Sequence, residues 1–201
     1  MRYPNAMKIT ETKILLRIVL MILTVKLDAL GASRRDVNEL IAKGTHLQES
    51  GSQEESRATF KEARVLAQTI PNEGTSGFTD ALLDVVSAQA KAGFYEDAQI
   101  TVESFLDSYN QAMAISYIAH FQFENGKTAA ARVTIQKAIR AAKSISVLWP
   151  QALVLQQIAH FQIQAGQYLD AQATANLISD PGLKQTTLRE AAKARRERSG
   201  S

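Results

Sequence analysis

Apolar residues recur at intervals of three and four along most of this chain, in segments separated by short polar breaks. This spacing puts the apolar side chains on one face of an α-helix and therefore predicts a series of amphipathic helices. Three segments show it most clearly: Leu82, Val85 and Val86; Ile115, Ile118 and Ala119; Leu155, Ile158 and Ala159. We therefore expect an all-α protein.

A three-residue signature divides these helices into pairs. A Gln is followed four residues later by a Gly, and five residues after that by an Ala, at Gln89–Gly93–Ala98, Gln122–Gly126–Ala131 and Gln162–Gly166–Ala171. Gly can adopt the left-handed conformation that ends a helix, and a small Ala lets the following helix approach closely. Each signature therefore predicts two helices joined by a tight turn.

A fourth, weaker copy lies upstream, with Gly51 as the break and Ser56 in place of the Ala. Its first helix is predicted to start near residues 36–38, and it carries Lys43 and Gly44 where the other copies are apolar, which is typical of a terminal capping unit. Successive breaks are 42, 33 and 40 residues apart. A larger duplication underlies them, because Arg57, Thr59, Ala63, Ala67 and Ile70 recur 75 residues later as Arg132, Thr134, Ala138, Ala142 and Ile145.

This pattern resembles the tetratricopeptide repeat (TPR), in its divergent bacterial form. The spacing from Leu82 through Val85-Val86 and Gly93 to Ala98, with its downstream copies, carries the resemblance over residues 36–194. The resemblance implies a right-handed αα-hairpin solenoid of about four helical hairpins plus a C-terminal capping helix, which we place at residues 184–194. The chain departs from the family in its uneven period, in lacking Pro at most repeat ends, and in the Gln of the signature.

In that family the first helix of each repeat lines a concave groove, so the resemblance also implies partner-binding positions. They stand two, three, six and ten residues before each Gly, and they mix apolar and polar side chains. Such a surface suits an extended peptide or a helix of a partner protein. The set is Leu83, Ser87, Lys91, Ser116, His120, Phe123, Glu124, Gln156, His160, Ile163 and Gln164.

Two of these positions invite a metal-site interpretation, because His120 and His160 occur in the same five residues, Ile-Ala-His-Phe-Gln. Equivalent positions on packed helices are about 10 Å apart, whereas zinc ligands lie within about 2.1 Å of one ion. We therefore expect no metal and no other cofactor. The repeated Gln is expected to form hydrogen bonds between helices, and Trp149 to pack against a neighbouring repeat rather than anchor a partner.

Composition narrows the function further. The 201 residues include no Cys, which excludes disulfides, thiolate metal sites and a Cys nucleophile. The net charge of +3 belongs to the ends, since residues 1–32 and 189–201 carry +3 each and the body between them −3. We expect residues 195–201 to form a flexible basic tail. The body lacks the positive surface that nucleic-acid binding needs.

The N-terminal residues 1–32 have the character of a targeting segment. The apolar run Ile14–Val25 follows Lys8 and Lys13 and precedes small residues, as in a secretory signal peptide. Arg17 interrupts the run, and its twelve residues are fewer than the about 20 that span a bilayer. Three interpretations stay open: a cleaved signal that exports the protein to the periplasm, a membrane anchor or peripheral membrane contact, and an ordinary first helix.

These features together predict a non-enzymatic protein–protein interaction scaffold with its repeat domain at residues 33–194. An enzyme needs converging acid–base or nucleophilic groups, and the three histidines have no Ser or Asp partner at a recognisable spacing. The alternative function is that of a structural subunit in an envelope or membrane-associated complex.

Overall fold

The computed structural model describes residues 31–71 and 77–199, and within these ranges the chain is all helical, as predicted. The predicted targeting run at residues 14–25 lies outside the described residues. The helices are α1 (Arg34–Glu49), α2 (Gln53–Gln68), α3 (Gly77–Lys91), α4 (Tyr95–Val102), α5 (Ser108–Glu124), α6 (Thr128–Lys143), α7 (Leu148–Gln164), α8 (Tyr168–Ala175) and α9 (Pro181–Ser199).

Helix α1 starts slightly earlier than predicted, because Ser33 caps it. The Ser33 hydroxyl accepts a hydrogen bond from the Asp36 backbone N–H at 3.4 Å, and the Asp36 carboxylate accepts one from the Ser33 N–H at 2.9 Å. This reciprocal capping box satisfies two N–H groups that a helix start otherwise leaves unpaired. Hydrogen bonds from the Ser33 side chain and backbone also lower the pKa of the Asp36 carboxyl.

The four predicted glycine breaks are confirmed. In each turn the residue after the Gly donates its N–H to the carbonyl five residues earlier; Lys127 N–H, for example, bonds to Gln122 O at 2.7 Å. The backbone carbonyl of the signature Gln accepts this capping bond, and Leu47 does the same in the first turn, so the bond does not require a Gln side chain. Positive φ angles of 84°, 86°, 71° and 72° occur at Gly51, Gly93, Gly126 and Gly166.

Small residues after each turn are buried, as the close approach of paired helices requires. Ala98, Ala131 and Ala171 are fully buried. In the first pair Ser56 takes this place, and its hydroxyl donates to the Gly44 carbonyl at 2.8 Å.

Gly44 was interpreted above as degeneration of the first repeat, but the structure gives it a packing role. A Cβ at Gly44 would lie 2.7 Å from the ring of Phe60, which is 1% exposed. The absence of a side chain at Gly44 therefore makes room for the largest apolar group of the first helix pair.

Each helix packs against the next one along the chain, and each odd-numbered helix also packs against the next odd-numbered helix. The odd-numbered helices α1 and α3 run in the same direction. At their starts Arg34 reaches Asp80 at 3.1 Å and Asp84 at 2.7 Å, and at their ends Gln48 Nε2 donates to the Ala92 carbonyl at 3.3 Å.

The ends of the helices therefore form two opposite edges of the molecule. The turn edge carries the four Gly turns, and the start edge carries the first residues of the odd-numbered helices. Along the turn edge, Asn125 after α5 donates to the Tyr95 hydroxyl at the start of α4, at 2.8 Å.

Helix α9 is longer at both ends than the sequence predicted. Asp180 Oδ1 accepts a hydrogen bond from the Leu183 N–H at 2.7 Å, and Pro181 occupies the first helical position, where its missing N–H costs nothing. The helix then continues to Ser199. The predicted tail is therefore wrong for residues 195–199, which are helical.

The prediction for Trp149 is also wrong. This side chain is 57% exposed in the first turn of α7, while Ile145 in the preceding loop, only 9% exposed, occupies the core. The indole is therefore left at the start edge instead of packing against a neighbouring helix pair.

Candidate functional site

The odd-numbered helices share one face, and this odd-helix face contains two cavities. A cavity of about 530 Å³ lies between α1 and α3, and one of about 450 Å³ lies between α5 and α7. Six of the eleven predicted partner-binding residues line one or the other: Ser87 and Lys91 in the α1–α3 cavity, and His120, Phe123, Glu124 and Gln164 in the α5–α7 cavity.

The other five predicted residues do not line these two cavities. Leu83 packs against the main core and Ile163 against a small cluster near α9. Gln156 and His160 are half-buried.

Ser116 contradicts its prediction. It is fully buried, and its hydroxyl donates to the Met113 carbonyl at 2.7 Å. Helix α5 is packed between α3 and α7, so this small side chain finds its hydrogen-bond acceptor within its own helix and is closed off from a partner.

An aromatic stack fixes His120 in the α5–α7 cavity. Its ring lies 4.3 Å from the ring of Phe161 with 19° between the planes, and its Nε2 is 3.3 Å from Glu124 Oε1. Burial lowers the pKa of His120 below 6.5, and the Glu124 carboxylate opposes this shift only in part. The imidazole is therefore mostly neutral at pH 7, and its 3.3 Å contact with Glu124 is then a polar contact rather than an ion pair.

The α5–α7 cavity thus combines an imidazole and the phenyl ring of Phe123 with the Glu124 carboxylate and the Gln164 amide. These groups can accept and donate hydrogen bonds beside an apolar surface, which is what recognition of a peptide side chain requires. Over residues 31–71 and 77–199 no group of three or more His, Asp or Glu residues is arranged to hold a metal ion.

His160 has a different environment from His120. Its Nε2 lies 2.7 Å from Glu190 Oε2 on α9. This contact joins α7 to α9, and both side chains remain accessible, 37% exposed at His160 and 46% at Glu190.

The α1–α3 cavity has more charged side chains in its lining, namely Arg34, Glu49, Asp84 and Lys91. Arg34 is held by its two carboxylates, and its pKa is raised chiefly by the hydrogen bond to Asp84. Lys91 is exposed and forms no ion pair with any described residue, whereas the buried Gln48 Oε1 accepts no hydrogen bond from them. The cavity therefore offers the Lys91 ammonium group to a ligand.

Interhelical hydrogen bonding by the repeated Gln is confirmed for Gln89, whose Oε1 accepts from Thr101 Oγ1 at 2.7 Å across α3 and α4. The signal for this partner was present in the sequence, because a Thr stands twelve residues after each Gln, at 101, 134 and 174. The side-chain oxygens of Gln122 and Gln162 are buried and unpaired among the described residues.

The sequence reasoning also missed a recurring ion pair. Arg57 on α2 pairs with Asp97 on α4, and Arg132 Nε on α6 lies 3.5 Å from Asp170 Oδ2 on α8. Both aspartates stand four residues after a signature Gly. The 75-residue duplication therefore repeats a unit of two helix pairs, joined by one Arg–Asp contact.

No protein-family model, curated protein or solved structure matches this chain. Within the described ranges, no helix combines the length and apolar character needed to cross a membrane.

Proposed function

We propose that this protein is a TPR-like helical solenoid that acts as a non-enzymatic adaptor and holds a peptide or helix of a partner protein along its odd-helix face. The helix contacts support this proposal, because a solenoid of helix pairs brings each odd-numbered helix against the next odd-numbered one. The four identical Gly turns support the same repeating unit.

The observation that carries the proposal is the presence of two cavities on one face, each between adjacent odd-numbered helices. An extended segment laid along this face meets the Lys91 cation in the first cavity. It then meets the His120 ring and the Glu124 carboxylate in the second. Contacts to alternate side chains of a bound peptide give specificity in such grooves.

We also propose that residues 1–32 export the protein to the periplasm. The basic start, apolar run and small residues at 29–32 support this proposal. N-terminal sequencing of the protein purified from its own cells tests it. A mature chain that begins near Ser33 supports export with cleavage, and one that retains residues 14–25 contradicts it.

Binding measurements on matched charge variants test the adaptor function. A partner captured with the full chain is purified and titrated by calorimetry against the wild type and against Glu124→Lys combined with Gln164→Lys. The double variant should bind about tenfold or more weakly, a loss of about 1.4 kcal/mol, because it reverses the charge of the α5–α7 cavity. Its melting temperature should stay close to that of the wild type, since both side chains are exposed.

Glu62→Lys is the control, because Glu62 is an exposed carboxylate on α2, outside the odd-helix face. Equal binding by the double variant and the wild type contradicts the proposal, as does a loss confined to Glu62→Lys. Concentration-dependent self-assembly without any partner, seen by sedimentation, would favour the structural-subunit alternative instead.

A further inference from the structure

A cluster of exposed apolar side chains lies at the start edge, and the proposed adaptor function does not use it. The structure exposes nine large apolar side chains among the described residues, and four of them belong to the α4–α5 and α6–α7 loops or the first turn of α7. Scattered exposed apolar residues need no explanation, but a concentrated group marks an interaction surface. The four are Leu106 (81% exposed), Val147 (62%), Leu148 (63%) and Trp149 (57%).

The two loops form one surface. A cleft of about 480 Å³ lies between them, with Asp107 and Tyr109 on one side and Val147, Pro150 and Leu153 on the other. Leu106 directly precedes Asp107 of the first wall, and Leu148 and Trp149 stand between Val147 and Pro150 of the second in sequence. We call this surface the apolar edge patch.

A row of cations leads up to the patch. Lys137, Arg140 and Lys143 are exposed at three-residue intervals on the last turns of α6, and no described residue forms an ion pair with them. On the neighbouring loop, Asp107 accepts hydrogen bonds from Asn110 N–H and Nδ2 as the cap of α5. Glu103 is exposed there as well. The surface next to the patch therefore has three cations and two carboxylates, and one of these carboxylates, Asp107, already accepts hydrogen bonds from Asn110.

We propose that the apolar edge patch docks on an anionic lipid bilayer, with Trp149, Leu148, Val147 and Leu106 entering the interface and the α6 cations facing lipid headgroups. Trp is enriched at membrane–water interfaces, and Trp or Leu beside Lys and Arg is the usual composition of interfacial anchors. A second copy of the chain fits the patch less well. A stable protein interface uses about 20 to 30 residues on each side, and pairing two copies through the patch would bring their cation rows together.

The fluorescence of Trp149 tests the proposal directly in the full chain, because it is the only Trp present. The probes are vesicles of phosphatidylcholine with phosphatidylserine, and vesicles of phosphatidylcholine alone. The anionic vesicles should shift the emission to shorter wavelength, and lipids brominated on their acyl chains should quench it. Each cation near an anionic surface contributes about 1 kcal/mol to the free energy of membrane binding. Arg140→Gln with Lys143→Gln should therefore raise the half-shift concentration, the lipid concentration that produces half of the wavelength shift, on the order of 30-fold.

Matched controls are available at the opposite edge and on another face. Lys91→Gln with Lys127→Gln removes the same charge near the turn edge and should leave the half-shift concentration unchanged. Leu148→Ser should weaken the shift, whereas Leu169→Ser, at a residue 62% exposed on α8, should not.

Each of three outcomes would overturn the proposal. Sedimentation with vesicles while Trp149 stays water-exposed would assign membrane binding to the N-terminal residues alone. A wavelength shift that grows with protein concentration without lipid would identify a second copy as the occupant. A shift brought about only by a protein partner would make the patch a protein-binding surface.

Discussion

The smallest scale on which the structure makes a functional statement is the side chain of His120. This ring is partly buried against Phe161 and lines the α5–α7 cavity together with Glu124, so its protonation state changes the charge that a bound peptide meets. Because burial lowers its pKa, the neutral form is the one presented at pH 7.

His120 also predicts how stability depends on pH. The unfolded chain binds a proton at this position near pH 6.5, whereas the folded chain binds it only at lower pH. The histidine therefore has no effect on stability above about pH 6.5, and it destabilises the fold increasingly as the pH falls below that value. The free energy of unfolding, from urea titrations between about pH 7.5 and about pH 5, should fall less steeply in His120→Gln than in the wild type.

His46→Gln serves as the control, since His46 is exposed near the end of α1. In this variant the pH dependence of the free energy of unfolding that His120 causes should be unchanged. If the free energy of unfolding depends on pH to the same extent in His120→Gln and in the wild type, the burial of this ring in solution is contradicted.

At the scale of the element, the Gly turns and the Arg–Asp pairs hold helices to one another. At Gly126 an added Cβ would meet no atom within 4 Å, so the cost of a side chain there is conformational and not steric crowding. The φ of 71° is the left-handed region that L-residues other than Asn and Asp rarely adopt.

Gly126→Ala should therefore lower the free energy of unfolding by about 1 kcal/mol, measured by urea denaturation. Gly126→Asn should cost less, because Asn tolerates the left-handed conformation. Equal stability of Gly126→Ala and the wild type would show that the turn does not require positive φ.

The two Arg–Asp pairs predict an order of effects. Asp97 is only 6% exposed at its side chain, whereas Asp170 is 47% exposed. Removing the cation from a buried carboxylate leaves an uncompensated charge, while an exposed carboxylate is solvated by water. Arg57→Met should therefore lower the melting temperature more than Arg132→Met, as measured by circular dichroism.

The reverse order of melting temperatures would contradict this account of the duplication. Lys61, whose Nζ lies 3.7 Å from Asp97 Oδ1, compensates part of the loss at Arg57. In the background of Lys61→Met the difference between the two Arg variants should therefore widen.

At the scale of the whole molecule, the helix periodicity and the Gly signature were sufficient to predict an all-α chain and the position of every described turn between paired helices. Both features depend on residues close in sequence. Ser116 and Trp149 were mispredicted because their exposure depends on distant neighbours, namely the helices on either side of α5 and the use of Ile145 as the core residue. The stack of His120 on Phe161 joins residues 41 positions apart in sequence, so the pattern within one helix could not reveal it.

Among the predicted groove residues, too, the features that depend on nearby residues were predicted and the contacts between distant residues were not. Counting residues back from each Gly correctly assigned six of them to two cavities of the structure. This count succeeds because the direction of a side chain on a helix depends only on its position within that helix. It could not show that His160 contacts Glu190 on α9 or that Arg57 and Arg132 bind aspartates on the next even-numbered helix. Those contacts arise only when the helix pairs are packed together.

Site-specific photo-crosslinking tests the central claim most directly. A photoreactive amino acid is placed at Lys91, at Gln164 or at Glu62 in the full chain, and the crosslinked proteins are identified by mass spectrometry from the cells that make it. The proposed adaptor function predicts that one and the same partner crosslinks from Lys91 and Gln164, on the two cavities of the odd-helix face, and not from Glu62 on α2. Crosslinking of a partner from Glu62 alone, with none from Lys91 or Gln164, would contradict it.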